Sequence, residues 1–167
     1  AITDPEDPKL KLDRRIAAVF PLPRSTPDGE GYTMENSPAA FGNSLVLAQW
    51  AGFKPDASPP TGVQRVDWDP DTRAFKLVWV NEDTLFNGVP TIARTKQGLA
   101  AIGMGRDGDR YLYHVLDFET GKAQRPSIDL GSSDDVLDQG NNHVITADGS
   151  IVYPGKKQLI RLHRDGE

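Results

Sequence analysis

With 167 residues, 37% apolar and 26% charged, the chain is long enough for one domain with a real core and too short for two of ordinary size. A net charge of -5, with its basic residues scattered, argues against a nucleic-acid partner, whose phosphates reward clustered cations. No apolar run approaches the ~20 residues of a membrane span, and the lack of cysteine excludes disulfides, thiolate chemistry and Cys-ligated zinc.

Thirteen prolines and sixteen glycines punctuate the chain at short intervals, which favours many short strands over long helices. Residues 1–13 (AITDPEDPKLKLD) form a charged arm, and residues 14–20 (RRIAAVF) are expected to be a strand stopped by Pro21 and Pro23. Pro27-Asp28-Gly29 then marks a turn, with φ preset by proline and positive φ open to glycine.

Residues 37–80 contain four expected strands, at 37–41, 44–50, 63–68 and 75–80. Gly42-Asn43 is a short-hairpin signature between apolar runs, and residues 69–73 (DPDTR) turn the chain again. The pattern recurs over residues 89–130, with strands at 89–94, 99–104, 111–118 and 126–130. Pro38 lines up with Pro90 and Thr72 with Thr120. A third unit, residues 142–163, has strands at 142–147, 150–153 and 158–163, with Asp148-Gly149 as its hairpin turn and no fourth strand.

A repeat of ~40–50 residues with four strands per unit is the signature of β-propeller blades. No sustained 3.6-residue period supports a helical repeat. The expected fold class is therefore all-β: blades of four antiparallel strands, about three in this chain, with a β-sandwich as the alternative. Propellers use ~4–8 blades, so two full units, a leading strand and three trailing strands do not close a ring. The chain begins with Ala1 and not Met, so processing or excision from a longer polypeptide is expected. The remaining blades would come from another chain or segment, or from a second copy in a homodimer.

The segments LDFETGK (116–122), SPAAFGNSLVLAQ (37–49) and VDWDPDTRAFKLVW (66–79) carry a family likeness. They resemble the WD40/PQQ-like repeat, specifically the quinoprotein-like blades of PQQ-dependent dehydrogenases and their non-catalytic relatives. Asp69, Thr72 and Trp79 follow the order of that family's Asp-x-x-Thr-Gly…Trp docking motif, with Arg73 where glycine is expected. In the middle unit Asp117, Thr120 and Gly121 fit, and no tryptophan follows. The resemblance implies blade-to-blade packing. The cofactor-site residues are not matched, and the family's adjacent cysteine pair is absent, so PQQ is not expected from this chain alone.

In a propeller, binding residues gather on the loops of one axial face. Here those are 25–36, 81–88 and 131–142, together with 52–62, 105–110 and 154–157. Asn36, Asn87 and Asn142 each precede a first strand, as a ring of ligand-facing amides or as turn residues that bond their own backbone. The loop SSDDVLDQGNNH (132–143) places Asp134, Asp135, Asp138 and His143 close together, either as a solvated acidic loop or as a divalent-cation site. His143 would also suit a general base.

Asp67-x-Asp69-x-Asp71 mimics the start of a calcium loop without its later glycine and glutamate. Gly103-x-Gly105-x-x-Gly108 precedes a strand, so it is not a dinucleotide fingerprint. His114 alternates within a strand, and Trp50, Trp68 and Trp79 are read as blade-packing residues.

The leading expectation is a binding propeller for a polar small molecule, a saccharide or a protein partner, periplasmic or secreted. The alternative is part of a propeller enzyme, a quinoprotein-like oxidoreductase or a lactonase-like metal-dependent hydrolase, sharing its site with blades outside this chain.

Overall fold

The computed structural model describes residues 37–50, 61–84, 86, 88–132, 143–155 and 157–163. The arm at 1–13 and the expected strand at 14–20 lie outside these residues. Among the described residues all regular structure is β, in three antiparallel sheets.

The first sheet runs β1 (Ala39–Phe41), β2 (Ser44–Trp50), β3 (Thr61–Asp69) and β4 (Ala74–Asn81), each strand paired with the next. The second repeats that order with β5 (Thr91–Thr95), β6 (Gly98–Asp107), β7 (Arg110–Asp117) and β8 (Ile128–Ser132). The third contains β9 (Val144–Ile145), β10 (Ile151–Pro154) and β11 (Leu159–Leu162).

Turn chemistry sets the registers. Gly42 has φ +57 and closes the β1–β2 hairpin, so that Phe41 pairs with Ser44. At the β3–β4 turn the Asp69 carboxylate accepts hydrogen bonds from the backbone N–H of Asp71 and Thr72, at 2.9 and 3.2 Å. Arg73, which replaces the expected glycine, takes φ +52, a left-handed conformation that costs an ordinary side chain about 1 kcal/mol. Gly121 occupies the matching position of the second sheet with φ +70.

The middle sheet is buried on both faces. Successive side chains of a strand point to opposite sides, and β7 shows the consequence. Tyr111, Tyr113 and Val115 join a cluster with Ala100, Ile102, Met104 and Tyr153, which ties the second sheet to the third. Leu116 and the following Phe118 join Val46, Ala48, Val63, Trp79, Phe86 and Ala101, which tie it to the first. This two-sided burial explains why β6 and β7 carry apolar residues almost without alternation.

The third sheet buries one face only. Ile145, Ile151, Ile160 and Leu162 pack against the second cluster, whereas Val144 and Leu159 are 63% and 74% exposed. β1 also lies against β5, so the first strands of neighbouring sheets are adjacent.

Candidate functional site

Each meander collects its exits at one end. β4 leaves at Asn81, which pairs with Val63 near the β2–β3 end of its sheet. β8 leaves at Ser132, which pairs with Arg110 beside the β6–β7 turn. His143 immediately precedes β9, whose Val144 pairs with Val152 of β10. Antiparallel pairing therefore ends β4 and β8 at the end of their sheets where β3 and β7 begin.

Of the residues expected to bind, His143 is described. Asn36, Asn87, Asn142, Asp134 and Asp138 lie outside the described residues, as does Asp135. Among the described residues no group of three or more His, Cys, Asp or Glu could hold a metal ion. The calcium-like run is used otherwise: Asp67 is chelated by Arg65, and Asp69 caps its own turn.

Two polar constellations mark the interfaces between sheets. The first surrounds Trp79 and the turn after β7. The Trp79 indole donates to the Phe118 carbonyl at 2.9 Å, and its ring lies so close over Gly121 that a Cβ there would sit 2.6 Å from it. The Asn81 amide donates to the Gly121 carbonyl at 2.7 Å, while its oxygen accepts from the backbone of Asp83 and Thr84.

Arg65 completes this junction. Its guanidinium bonds both Asp67 oxygens at 2.9 Å, Glu119 at 2.7 Å and the Phe118 carbonyl at 3.1 Å, and lies 4.1 Å above the Phe118 ring. Burial alone would raise the Asp67 pKa, yet the hydrogen bonds from Arg65 and Ser44 hold it below the ordinary carboxylate value. Asp117 is lowered too, chiefly by the Thr120 hydroxyl that donates to it at 2.7 Å. The sequence places Asp69, Thr72 and Trp79 in a single unit, but Trp79 docks on the Asp117–Gly121 turn of the next sheet.

The second constellation lies between the second and third sheets. Tyr113 has no exposed surface, and its ring meets that of His143 edge to face, with centroids 5.3 Å apart. Among the described residues the Tyr113 hydroxyl and both His143 ring nitrogens are buried without a hydrogen-bond partner. Burial pushes the His143 pKa down to about 4, so its imidazole is neutral at pH 7. Burial likewise raises the Tyr113 pKa, against the opposing charge of Arg125.

The remaining candidates are structural in their contacts. His114 shares a 2.8 Å hydrogen bond with the Ser127 hydroxyl, and its ring faces Phe86. Gly103 lies in β6 where a Cβ would collide with the Phe86 ring, at 2.1 Å, so its glycine serves strand packing. Trp68 packs edge-on against Phe75 at 5.1 Å. His163 is exposed just beyond β11. Arg65 and Tyr113 were not marked as site residues by the sequence: Arg65 follows no motif, and Tyr113 reads as one more apolar position of β7.

No family model matches the chain, and no solved structure matches it. It is similar to a protein of Archaeoglobus fulgidus (strain ATCC 49558 / DSM 4304 / JCM 9628 / NBRC 100126 / VC-16) described as "Uncharacterized protein". The two are 26% identical over 129 residues, a match covering 66% of this chain and 25% of that protein. The chain thus spans about a quarter of the length of the relative it matches.

Proposed function

We propose that the three sheets are successive blades of a β-propeller, and that the chain is a binding module using the loops at the exit end of those blades. The observation that carries this reading is the two-sided burial of the middle sheet between two other meanders. The contact of β1 with β5 supports it, because first strands line the axis of a propeller.

Further blades are needed to complete the ring. The outward face of the third sheet, with Val144 and Leu159 exposed, is the surface such a blade would cover. The length of the archaeal relative favours blades from the same polypeptide over a second copy. The bound species is polar, a small molecule or saccharide or a protein segment, since connections of this kind offer backbone and side-chain hydrogen bonds.

Light scattering tests the architecture. Monomers of 18.3 kDa, or rings with added blades from the longer chain, are the expected outcome. A dimer of this chain alone would assign ring closure to a second copy. Melting curves with a panel of neutral saccharides, calcium chloride and PQQ test the binding reading. A saccharide that raises the melting temperature supports it. Dye reduction with added PQQ, or hydrolysis of a lactone that depends on added cation, would replace it with an enzyme.

A further inference from the structure

The outward face of the third sheet repeats a row of side chains that the first sheet uses to meet the second. Side chains alternate along a strand. With Ile160 and Leu162 packed toward the second sheet, Leu159 and Arg161 therefore point the other way. Antiparallel pairing sets Val144, Val152 and Arg161 side by side across β9, β10 and β11 on that outward face. In the first sheet the same pairing sets Ala39, Val46 and Arg65 side by side across β1, β2 and β3, on the face turned to the second sheet. Each row ends in an arginine of the third strand, anchored by a carboxylate of its own sheet. Asp67 holds Arg65, and Asp148 holds Arg161.

The two arginines differ in what lies over them. The second sheet covers Arg65, whose side chain is 9% exposed, and the turn after β7 gives it the Glu119 carboxylate and the Phe118 carbonyl. Arg161 is 48% exposed, and its bonds to Asp148 and Ser150 both use Nη2. Nε and Nη1 carry further N–H donors of the guanidinium fork, and among the described residues they have no partner. Beside them Val144 and Leu159 stand exposed, so the fork is set in apolar surface of the kind that marks an interaction site.

We propose that this face docks a further sheet of the same polypeptide, whose turn between third and fourth strands gives Arg161 a carboxylate and a backbone carbonyl. The proposal rests on the propeller reading above and names the contact that joins the next blade. Its occupant follows from the first interface, where the same row already meets such a turn. The match to the archaeal relative covers only 25% of that protein, which leaves length for further sheets. Asp148 already balances the arginine's charge, which suits a single acidic turn better than a polyanion.

The test compares this chain with the longer polypeptide that supplies the remaining blades. Phenylglyoxal modification, followed by peptide mass spectrometry, reads the exposure of each arginine. Arg161 is expected to react about tenfold more slowly in the longer polypeptide, while Arg65 stays protected in both. Leu159→Asp is expected to leave the melting temperature of this chain within about 1 °C and to lower that of the longer polypeptide by at least about 2 °C. Equal reactivity of Arg161 in the two chains would overturn this contact and leave the binding module standing. A dimer of this chain alone that Leu159→Asp splits would overturn it in favour of a second copy. Arg65 reacting as fast as Arg161 in this chain would overturn the sheet-on-sheet packing beneath both readings.

Discussion

The two interfaces of the middle sheet are built differently. Toward the first sheet, apolar packing is overlaid with directional contacts: Trp79 and Arg65 on the Phe118 carbonyl, and Asn81 on the Gly121 carbonyl. Toward the third sheet, the described contact is a cluster of aliphatic and tyrosine side chains, and among the described residues the buried polar atoms of Tyr113 and His143 have no partner. Hydrogen bonds across an interface specify one registration of the two sheets, because sliding would leave buried donors and carbonyls unpaired. Volume packing specifies it less sharply. The first interface is thus the better determined.

The most damaging way to break this comparison is Trp79→Ala. Trp79 is 9% exposed and supplies both area and a hydrogen bond. Its truncation is expected to cost about 3–5 kcal/mol, read as a lower urea midpoint. A loss under about 1 kcal/mol would show that the first interface does not depend on this docking.

Acid should weaken the two interfaces in different windows. The folded pKa of His143 is about 4 against an ordinary 6.5. Between these values the unfolded chain binds more protons than the folded one, so stability falls as pH drops from 6.5 and levels off below 4. The loss reaches at most about 3.5 kcal/mol at roughly 1.4 kcal/mol per unit. Asp67 is lowered below 3.8, so its contribution is present at higher pH and is lost only as pH falls further, through its folded value. Denaturant melts from pH 7 to 4 should therefore show a decline that His143→Phe removes and Asp67→Asn leaves in place. An unchanged decline in His143→Phe would assign it to other groups.

Much of the fold was legible because strand alternation and turn residues are local signals. The first hairpin falls at Gly42-Asn43 as expected, β2 has the expected bounds, and β9 is shorter than its expected range of 142–147. The docking of Trp79 was less legible. A repeat invites comparison of residues within one unit, while the contact that matters joins the last strand of one sheet to a turn of the next. Tyr113 was missed for a similar reason, since the lack of a partner for a hydroxyl belongs to tertiary structure and leaves no trace in the pattern of β7. The asparagines and aspartates expected to bind fall outside the described residues, so His143 carries that part of the reading.

Gly121→Ala sharpens the comparison at a smaller scale. The new Cβ would meet the Trp79 ring at 2.6 Å in a backbone with φ +70. The expected cost is about 2 kcal/mol, of which roughly half is the left-handed conformation and half the collision. In the Trp79→Ala background the collision disappears, so the cost should fall to about 1 kcal/mol. Equal costs in the two backgrounds would mean that the glycine answers to backbone conformation alone.

The smallest effect is expected at Arg73, the matching turn of the first sheet. Arg73 is exposed with φ +52. Here the left-handed backbone has been kept without the glycine, and a side chain at the surface escapes the collision that forbids one at Gly121. Arg73→Gly removes the conformational penalty but gives the unfolded chain more freedom, two effects of opposite sign. The net gain should be about 0.5 kcal/mol, measured as a slightly higher urea midpoint with an unchanged slope. The sign separates the two reasons for glycine at such a turn. A gain at Arg73 beside a coupled loss at Gly121 means that positive φ is the common requirement and close approach the special one, confined to the turn on which a neighbouring tryptophan docks. A loss at Arg73 would instead mean that the arginine side chain stabilises its turn by more than the backbone strain costs.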